Sequence, residues 1–497
     1  MKMEFEANPC RCLQTAMWDV GEQEQVQELK LPEGYPDLGV ILGAWGQPVL
    51  RSKEWRGTSV QLSGGIMAWI VYIPEAESAP RSVETWIPFQ IRLEVPPVER
   101  EGILRTDLNL AAMDARTISA RKIMLRASLT AQIETYTPTE LLFRRVPQDP
   151  DGVELLRHTY PMQLATEAGE KTFLVEEDLV LPASAPEMEK LLRYDAHMEI
   201  SDSKVLSQRL TFHGKMQLHL LYQAPGGELH SWDFDIPFSQ YTELDREHAS
   251  QAEASLVACL TSLELDQQES GLHLKSGAVA QYVLTDQILV EMVEDAYGIA
   301  ASVTPRTESL SIPALLEHRR EPVSISCTVP ASASRIVDVH ILYAPLRMDR
   351  DPSQGIFSGG GSARVLFYDA DGILQCAEGK WELSQTFAAD STSQLLARLH
   401  PAGKANVAAG SGIEMTADAW LELDVLCGNA LTSVAELEIG DPLTPDPDRP
   451  SVILRRAMGE SLWKLAKENG TTVQAICQAN QLQGEPEAGQ MLLIPVP

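Results

Sequence analysis

The sequence predicts a mainly β protein: three tandem β-rich, sandwich-like repeats, then a small α+β module of order strand, helix, helix, strand. Three observations predict it. Landmarks recur along the 497 residues at an offset near 150. Polar and apolar residues alternate with period two between turn signals, the mark of strands with one wet face. Residues 451–497 change to the three- and four-residue spacing of short helices.

The repeat opens with Leu29-Lys30-Leu31-Pro32 and Pro36, which return as Leu179-Val180-Leu181-Pro182 and Pro186, a shift of 150. A strand from Gly64 through Trp69 to Tyr72 is matched by Gly214 through Leu220 to Tyr222, again by 150. Ile87-Pro88-Phe89 then returns as Ile236-Pro237-Phe238, by 149. Landmarks that hold register over this span mark an internal repeat. Between strands, Asp149-Pro150-Asp151-Gly152, Ala224-Pro225-Gly226-Gly227 and Asp369-Ala370-Asp371-Gly372 supply residues that reach turn geometry cheaply. A short helix is expected around Pro186 to Tyr194.

The third copy is fainter. Leu310-Ser311-Ile312-Pro313 echoes the opening and Val365-Leu366-Phe367-Tyr368 the strand ending in tyrosine, while Ser358-Gly359-Gly360-Gly361-Ser362 between them reads as a flexible loop insertion. The repeats are placed at residues 1–155, 156–298 and 299–440, forming an acidic rod or platform. Asp441 to Pro450 carries four prolines, which fix φ and remove backbone donors, so it reads as a semi-rigid linker.

In the last module, residues 451–497, Val452-Ile453-Leu454 starts as a strand and Ser461 is a good N-cap. Leu462, Leu465 and Ala466 make one apolar helical face, which stops at Asn469-Gly470. Thr472 caps a second helix with Val473, Ile476 and Cys477 inside, and Met491 to Pro495 returns as a strand. Trp463 follows the first core leucine, and two readings stay open for it: an exposed interface anchor, or a cover for the edge of a small core.

The run Gly459-Glu460-Ser461-Leu462-Trp463-Lys464-Leu465-Ala466, with Asn469-Gly470-Thr471-Thr472-Val473, Ile476, Asn480 and Gly489-Gln490-Met491-Leu492-Leu493-Ile494-Pro495, closely resembles a LysM domain. The resemblance implies a groove for N-acetylglucosamine polymers, which by position falls on Gly459, Glu460, Ser461, Leu462, Asn480, Gln481, Leu482 and Gln483. Where that family usually has Asp after the first glycine, this chain has Glu460. Trp18, the Leu-x-Leu-Pro opening, the tyrosine-ended strand, the Ile-Pro-Phe triplet and Asp114-Ala115-Arg116 with Arg121-Lys122 make the chain similar to the SipL family of clostridial spore-coat morphogenetic proteins. In that family a domain found in triplicate precedes a LysM domain. The resemblance implies a protein of the mother-cell cytoplasm that encases the forespore, with its LysM domain docking onto a stage IV sporulation protein A-like ATPase of the coat basement. Peptidoglycan binding through the LysM groove is the alternative, and self-assembly of the chain is left open.

Composition narrows the partners. Asp and Glu number 70 against 40 Lys and Arg, a formal charge of −30, which argues against a nucleic-acid backbone or an anionic membrane. All of it lies before residue 451, because Arg455, Arg456, Lys464 and Lys467 balance Glu460, Glu468, Glu485 and Glu487. The seven cysteines are odd in number and scattered, as in a reducing compartment, and the acidic N-terminus is unlike a secretory signal. The apolar stretch from Gly64 to Ile73 is too short to cross a bilayer and reads as a buried strand. No nucleophile elbow, zinc-protease helix or phosphate loop occurs, so no catalytic residue, metal site or cofactor is predicted. His213 and His219 are expected at surface or satisfied polar positions, and the basic island Arg116, Arg121, Lys122 and Arg126 on a strand face paired with acids.

Overall fold

The computed structural model describes residues 2–496 apart from 99, 101, 147–149, 269–270, 352, 389–392, 411, 427–429 and 445–448. After a short β1 (Lys2–Glu4), the first unit runs β2 (Glu6–Lys30), β3 (Leu38–Arg56), β4 (Ser59–Pro74), β5 (Arg81–Glu94), β6 (Ile103–Ser119) and β7 (Lys122–Arg145). It forms two antiparallel sheets, β3-β4-β5 and β2-β7-β6. The second unit repeats this order with β8 (Val153–Leu179), β9 (Lys190–Leu206), β10 (Arg209–Gln223), β11 (Leu229–Glu243), β12 (Glu253–Gln268) and β13 (Gly271–Gly298). Its sheets are β9-β10-β11 and β8-β13-β12, and the second continues through β15 into the third unit.

The third unit has the same plan with broken strands: β14 (Ala301–Ser311), β15 (Ala314–Val329), β16 (Arg335–Tyr343), β17 (Arg347–Asp351), β18 (Gln354–Tyr368), β19 (Leu374–Ala388), β20 (Gln394–Ala409), β21 (Ile413–Leu426) and β22 (Ala430–Pro442). β16 and β17 pair with successive stretches of β18, so they are one strand interrupted around Pro345. Ile312-Pro313 falls inside the first strand, between β14 and β15, because proline cannot donate to the ladder. The strand that corresponds to the Leu-x-Leu-Pro opening instead ends at Val329-Pro330, where Val329 pairs with Ile413 as Leu179 pairs with Leu272. The expectation for Leu310 to Pro313 is corrected accordingly.

The shared landmarks are contacts. Tyr72 OH donates to Pro36 O and Tyr222 OH to Pro186 O, both at 3.1 Å, tying the strand-ending tyrosines to the opening motif. Gly64 faces Phe89, Gly214 faces Phe238 and Gly361 faces Trp381 across the ladder. A Cβ on these glycines would lie 2.1 Å from Val49 O, 2.1 Å from Glu199 O and 1.9 Å from Leu342 O, so an aromatic ring covers a position that must stay bare. The Ser358 to Ser362 run is thus no loop; it lies within β18, its glycines leaving room for Leu342, Leu346 and Trp381. The helix expected around Pro186 to Tyr194 is also absent: the chain turns there and Tyr194 is in β9. At the predicted turns, Gly226, Gly227 and Gly372 take positive φ, as does Gly152, while Asp149 is outside the described residues.

The units do not extend as a rod. β5 contacts β9, β11 contacts β16 and β19 contacts β3, so each unit touches both others. Leu42 and Val71, Leu192 and Leu221, and Val337 and Leu366, contributed by matching strands of the three units, share one buried cluster. Bonds seal every interface. Gln281 Nε2 donates to Thr106 O at 2.7 Å, Ser231 Oγ to Val337 O at 2.7 Å, and Arg364 Nη2 to Met113 O at 2.9 Å.

A second junction is charged. Arg105 and Glu134 form a buried ion pair, and Arg398 of the third unit donates through Nε to Glu134 Oε1 at 2.9 Å. Arg105 reaches the second unit at Ser255 Oγ, 2.9 Å, and Arg398 also meets Asp424 at 3.2 Å. Burial opposes the Glu134 carboxylate, but the two guanidinium groups outweigh it and hold its pKa below the usual range. Around the axis the edge strands β3, β6, β9, β12, β16 and β20 line two joined polar cavities of about 330 and 440 Å³. His197 and His340 face them, and burial pushes both imidazoles down to about 4. His219 takes the satisfied polar alternative expected for it: its Nε2 lies 2.8 Å from Asp338 across the unit boundary. Burial works against its charge, yet Asp338 and Asp233 hold it up to about 10.

Beyond the sandwiches, the far halves of the first and last strand of each unit continue as arms: Glu6–Thr15 with Tyr136–Arg145, Val153–Ala165 with Thr285–Gly298, and β14 with β22, which β1 joins as a third strand. Isolated ribbons are marginal in water. Here they bury one another through Cys12, Phe143, Met162, Met292 and Ile312, then through Phe5, Val146, Val293, Ala296, Val434 and Leu437. The basic island is paired as expected, Arg121 with Asp37, Lys122 with Glu28, Arg126 with Glu24 and Arg116 with Asp114. The six cysteines among the described residues are free thiols.

Stability measurements can check this packing at three places. Gly214→Val should lower stability by about 2–3 kcal/mol through overpacking, whereas Gly484→Ala, which has open space around it, should stay within about 0.5 kcal/mol; denaturant titration separates them. Glu134→Gln leaves two guanidinium groups facing a neutral amide and should cost about 3–5 kcal/mol, read as a lowered thermal midpoint. On acidification, His197 and His340, whose folded pKa lies below the ordinary 6.5, withdraw stability between pH 6.5 and about 4. Carboxylates with lowered pKa, Glu134 among them, follow at more acid pH. The pair His197→Gln and His340→Gln should flatten the first stage of the midpoint-against-pH curve and leave the second.

Candidate functional site

The C-terminal module is built as β23 (Val452–Arg456), α1 (Leu462–Asn469), α2 (Val473–Asn480) and β24 (Met491–Pro495). Ser461 caps α1, its side chain accepting from Lys464 N, and Gly470 closes it in the left-handed conformation at φ 60°. Thr472 caps α2, accepting from Ala475 N at 2.9 Å. Ala457, Leu462, Leu465, Ala466, Ile476, Leu492 and Ile494 form the core. The Pro-rich linker falls partly outside the described residues, at 445–448, and Asp441-Pro442 ends β22.

The structure brings the two predicted groove segments together. Leu462 N, at the start of α1, donates to Glu485 Oε2 at 2.7 Å, so the loop after α2 bonds to the loop before α1. Glu460 accepts from Met458 N and pairs with Arg455, each at 2.8 Å. Gly459 turns at φ 95° and Gln481 closes α2 at φ 55°. Gln483 is exposed and Leu482 packs against the core. Asn480 is engaged within the module itself. Its amide donates to Leu493 O at 2.6 Å and its oxygen accepts from Leu493 N at 2.7 Å, fastening β24.

Trp463 is half-buried against another part of the chain. Its Nε1 donates to Asp295 Oδ2 at 2.8 Å, and its ring stands edge-on to Tyr297 with centroids 4.8 Å apart. Lys467 Nζ meets the same carboxylate at 2.7 Å, and Tyr297 OH donates to Thr471 O at 2.7 Å. Burial works against the Asp295 carboxylate, but Lys467 and Trp463 outweigh it and lower its pKa. Asp295 and Tyr297 belong to the second-unit arm, Asp295 lying 168 residues from Trp463, and no local sequence signal could have joined them.

The outer face of β23 and β24 carries a different feature. Val452, Leu454, Met491 and Leu493 are 50, 63, 52 and 45% exposed, and Met458, in the loop after β23, is 82% exposed. Leu454 pairs directly with Leu493. Arg456 and Met491 end this apolar strip.

The axial cavity, with Asp107, His197, His400 and Glu422, is the other concentration of titratable groups. Its thiol, Cys259, donates to Thr106 O, and burial pushes its pKa up, so it stays protonated. Among the described residues no group of three or more His, Cys, Asp or Glu side chains is placed to hold a metal ion, and no helix is long and apolar enough to cross a membrane.

Comparison with known families adds two matches. The LysM domain matches residues 457–495, the whole of α1, α2 and β24. The SipL, SPOCS domain matches residues 187–264, which spans β9, β10, β11 and most of β12. Both are binding or structural domains rather than known enzymes. No curated protein and no solved structure matches the chain. With a match to the SipL, SPOCS domain in its second unit and to the LysM domain at its C-terminal end, the chain is similar to SipL-like proteins that carry a LysM module.

Proposed function

We propose that the protein is a non-enzymatic scaffold of the spore coat, present in the mother-cell cytoplasm at the forespore surface, whose LysM module docks onto another coat protein. The partner indicated by family resemblance is a stage IV sporulation protein A-like ATPase. One observation carries the docking reading: the apolar strip Val452, Leu454, Met491 and Leu493 on the outer face of the LysM sheet, with exposed Met458 in the loop after β23. An apolar strip of this kind on so small a module is the usual mark of a protein-protein contact. A glycan presents hydroxyl and amide groups, and these five side chains offer no hydrogen-bond donor, no acceptor beyond the weak methionine thioethers, and no aromatic face. The charge distribution supports the same reading. The formal −30 lies on the repeats and linker, so the neutral module approaches a partner without the repulsion the rest carries.

Peptidoglycan binding through the groove is the second reading, favoured by the LysM match itself. In it, a sugar would compete with Glu485 for Leu462 N.

One set of full-length variants distinguishes the two. Leu454→Glu with Leu493→Glu should weaken capture of the purified ATPase at least about tenfold, equivalent to about 1.4 kcal/mol, and leave sedimentation with purified sacculi unchanged. Failure of the unaltered protein to bind the ATPase, together with retention on sacculi competed by chitin oligomers, would replace the docking reading with the glycan one.

A further inference from the structure

The two joined cavities on the axis differ in how their charges are matched. In the larger, each lining carboxylate has a cation: Asp233 has Lys404 at 3.0 Å, Asp338 has His219 at 2.8 Å, and Asp195 has Arg193 at 3.2 Å. In the smaller, of about 330 Å³, Glu422 meets Arg398 and Glu199 meets Lys215, but among the described residues no cation lies within ion-pair distance of Asp107 or Asp202. His197 lines the same cavity and makes no hydrogen bond to the described residues. We propose that this chamber is a binding site for an aliphatic polyammonium cation, held by Asp107, Asp202 and His197.

Each unit contributes a wall. β6 of the first unit carries Asp107, and β20 of the third brings Leu399 to Pro401. On β9 of the second, an irregularity at Ser201 re-phases the strand, so that Asp202 follows His197 and Glu199 onto the face turned to the axis. The free groups are two carboxylates and the lone pair of a neutral imidazole, and all three call for N–H donors, best those bearing positive charge. They are also spread out, since His197 and Asp202 lie roughly 13 Å apart along the strand at about 3.3 Å per residue. No three His, Cys, Asp or Glu side chains among the described residues are placed to hold a metal ion. Separated acceptors fit separated ammonium groups rather than one point charge. Pro48, Leu108, Leu256 and Pro401 line the space around them and suit the methylenes of such a chain. Lys404 on Asp233 already shows the same pairing in the adjoining cavity.

Electrostatics favours entry and retention. A formal charge of −30 draws cations, and a cleft with low-dielectric walls concentrates the field. Asp202 is exposed at the rim. Around Asp107 stand Asn109 on its own strand, His400 and Arg398 on β20, and Cys259 on β12. Arg398 is committed to Glu134, Glu422 and Asp424, and His400 to Glu422, so burial prevails and pushes the Asp107 carboxyl above its usual range. An ammonium group beside it supplies the missing charge.

Calorimetric titration of the full-length protein with spermidine at low salt tests the site. One saturable class is expected, and Asp107→Asn should weaken it at least about tenfold, equivalent to about 1.4 kcal/mol. Glu33→Gln removes the same charge at an exposed turn and should leave the affinity unchanged. Magnesium at matched ionic strength should not displace the ligand. Equal affinity of the two variants, or displacement by magnesium, would show binding to net charge and overturn the proposal. The unaltered protein gives a second reading. Because Asp107 loses its charge before surface carboxylates do, affinity should fall between about pH 7 and pH 5, above the ordinary carboxylate range near 4. Affinity that holds until surface carboxylates protonate would equally overturn it.

Discussion

The carboxylate of Glu134 is the group on which the closed arrangement depends. It belongs to the first unit, pairs with Arg105 of that unit and accepts from Arg398 of the third, while Arg105 extends to Ser255 of the second. Three sandwiches meeting by their edges bring unpaired backbone groups together, and such edges either find partners or invite aggregation. Here the bonds that satisfy them are made by side chains: Gln281 to Thr106 O, Gln132 to Ala397 O, and Gln47 accepting from Ala196 N. Side-chain bonding leaves gaps a ladder would not, which is why the axis holds polar cavities. The charged junction and the apolar one at Leu42, Leu192 and Val337 then act together, one specifying which edges meet and the other supplying burial.

Legibility from sequence followed the range of the interaction. The repeat was readable because its landmarks are contacts within a unit: a tyrosine on a proline carbonyl, a phenylalanine over a glycine. The third unit was misread where the same physics uses other residues. Trp381 replaces phenylalanine over Gly361, and prolines at positions 313 and 345 interrupt strands that are continuous in the other units. A glycine run looks like a loop until the rings that lie on it are known. Ring closure was not legible, since Glu134 and Arg398 lie 264 residues apart and carry no mutual pattern.

The LysM module shows the same division. Its caps, helical faces and strand pairing are local, and they appear where Ser461, Gly470 and Thr472 place them. The groove residues come together on either side of α1 and α2, but two acquire roles that position alone does not reveal. Asn480 fastens β24, and Trp463 leaves its own module to meet Asp295. The helical-face argument was balanced for Trp463, and the side chain does part of each: it packs against the edge of the small core and anchors a contact, though that contact is within the chain and the ring is half-buried.

Near-equivalent arms raise the question of why the module sits on one of them. The residue 150 positions before Asp295 is Arg145, so the corresponding place on the first arm carries a cation and would repel Lys467. On the third arm, β1 covers the edge of β22, and Glu436 and Glu438 already pair with Lys2 at 2.8 and 3.3 Å. The second arm alone joins an acid that lacks a cation of its own unit with a tyrosine two residues on. Divergence of charge within a repeated scaffold has thus turned three similar ribbons into one seat. The symmetry of the fold supplies the rigidity, and its departures from symmetry supply the address.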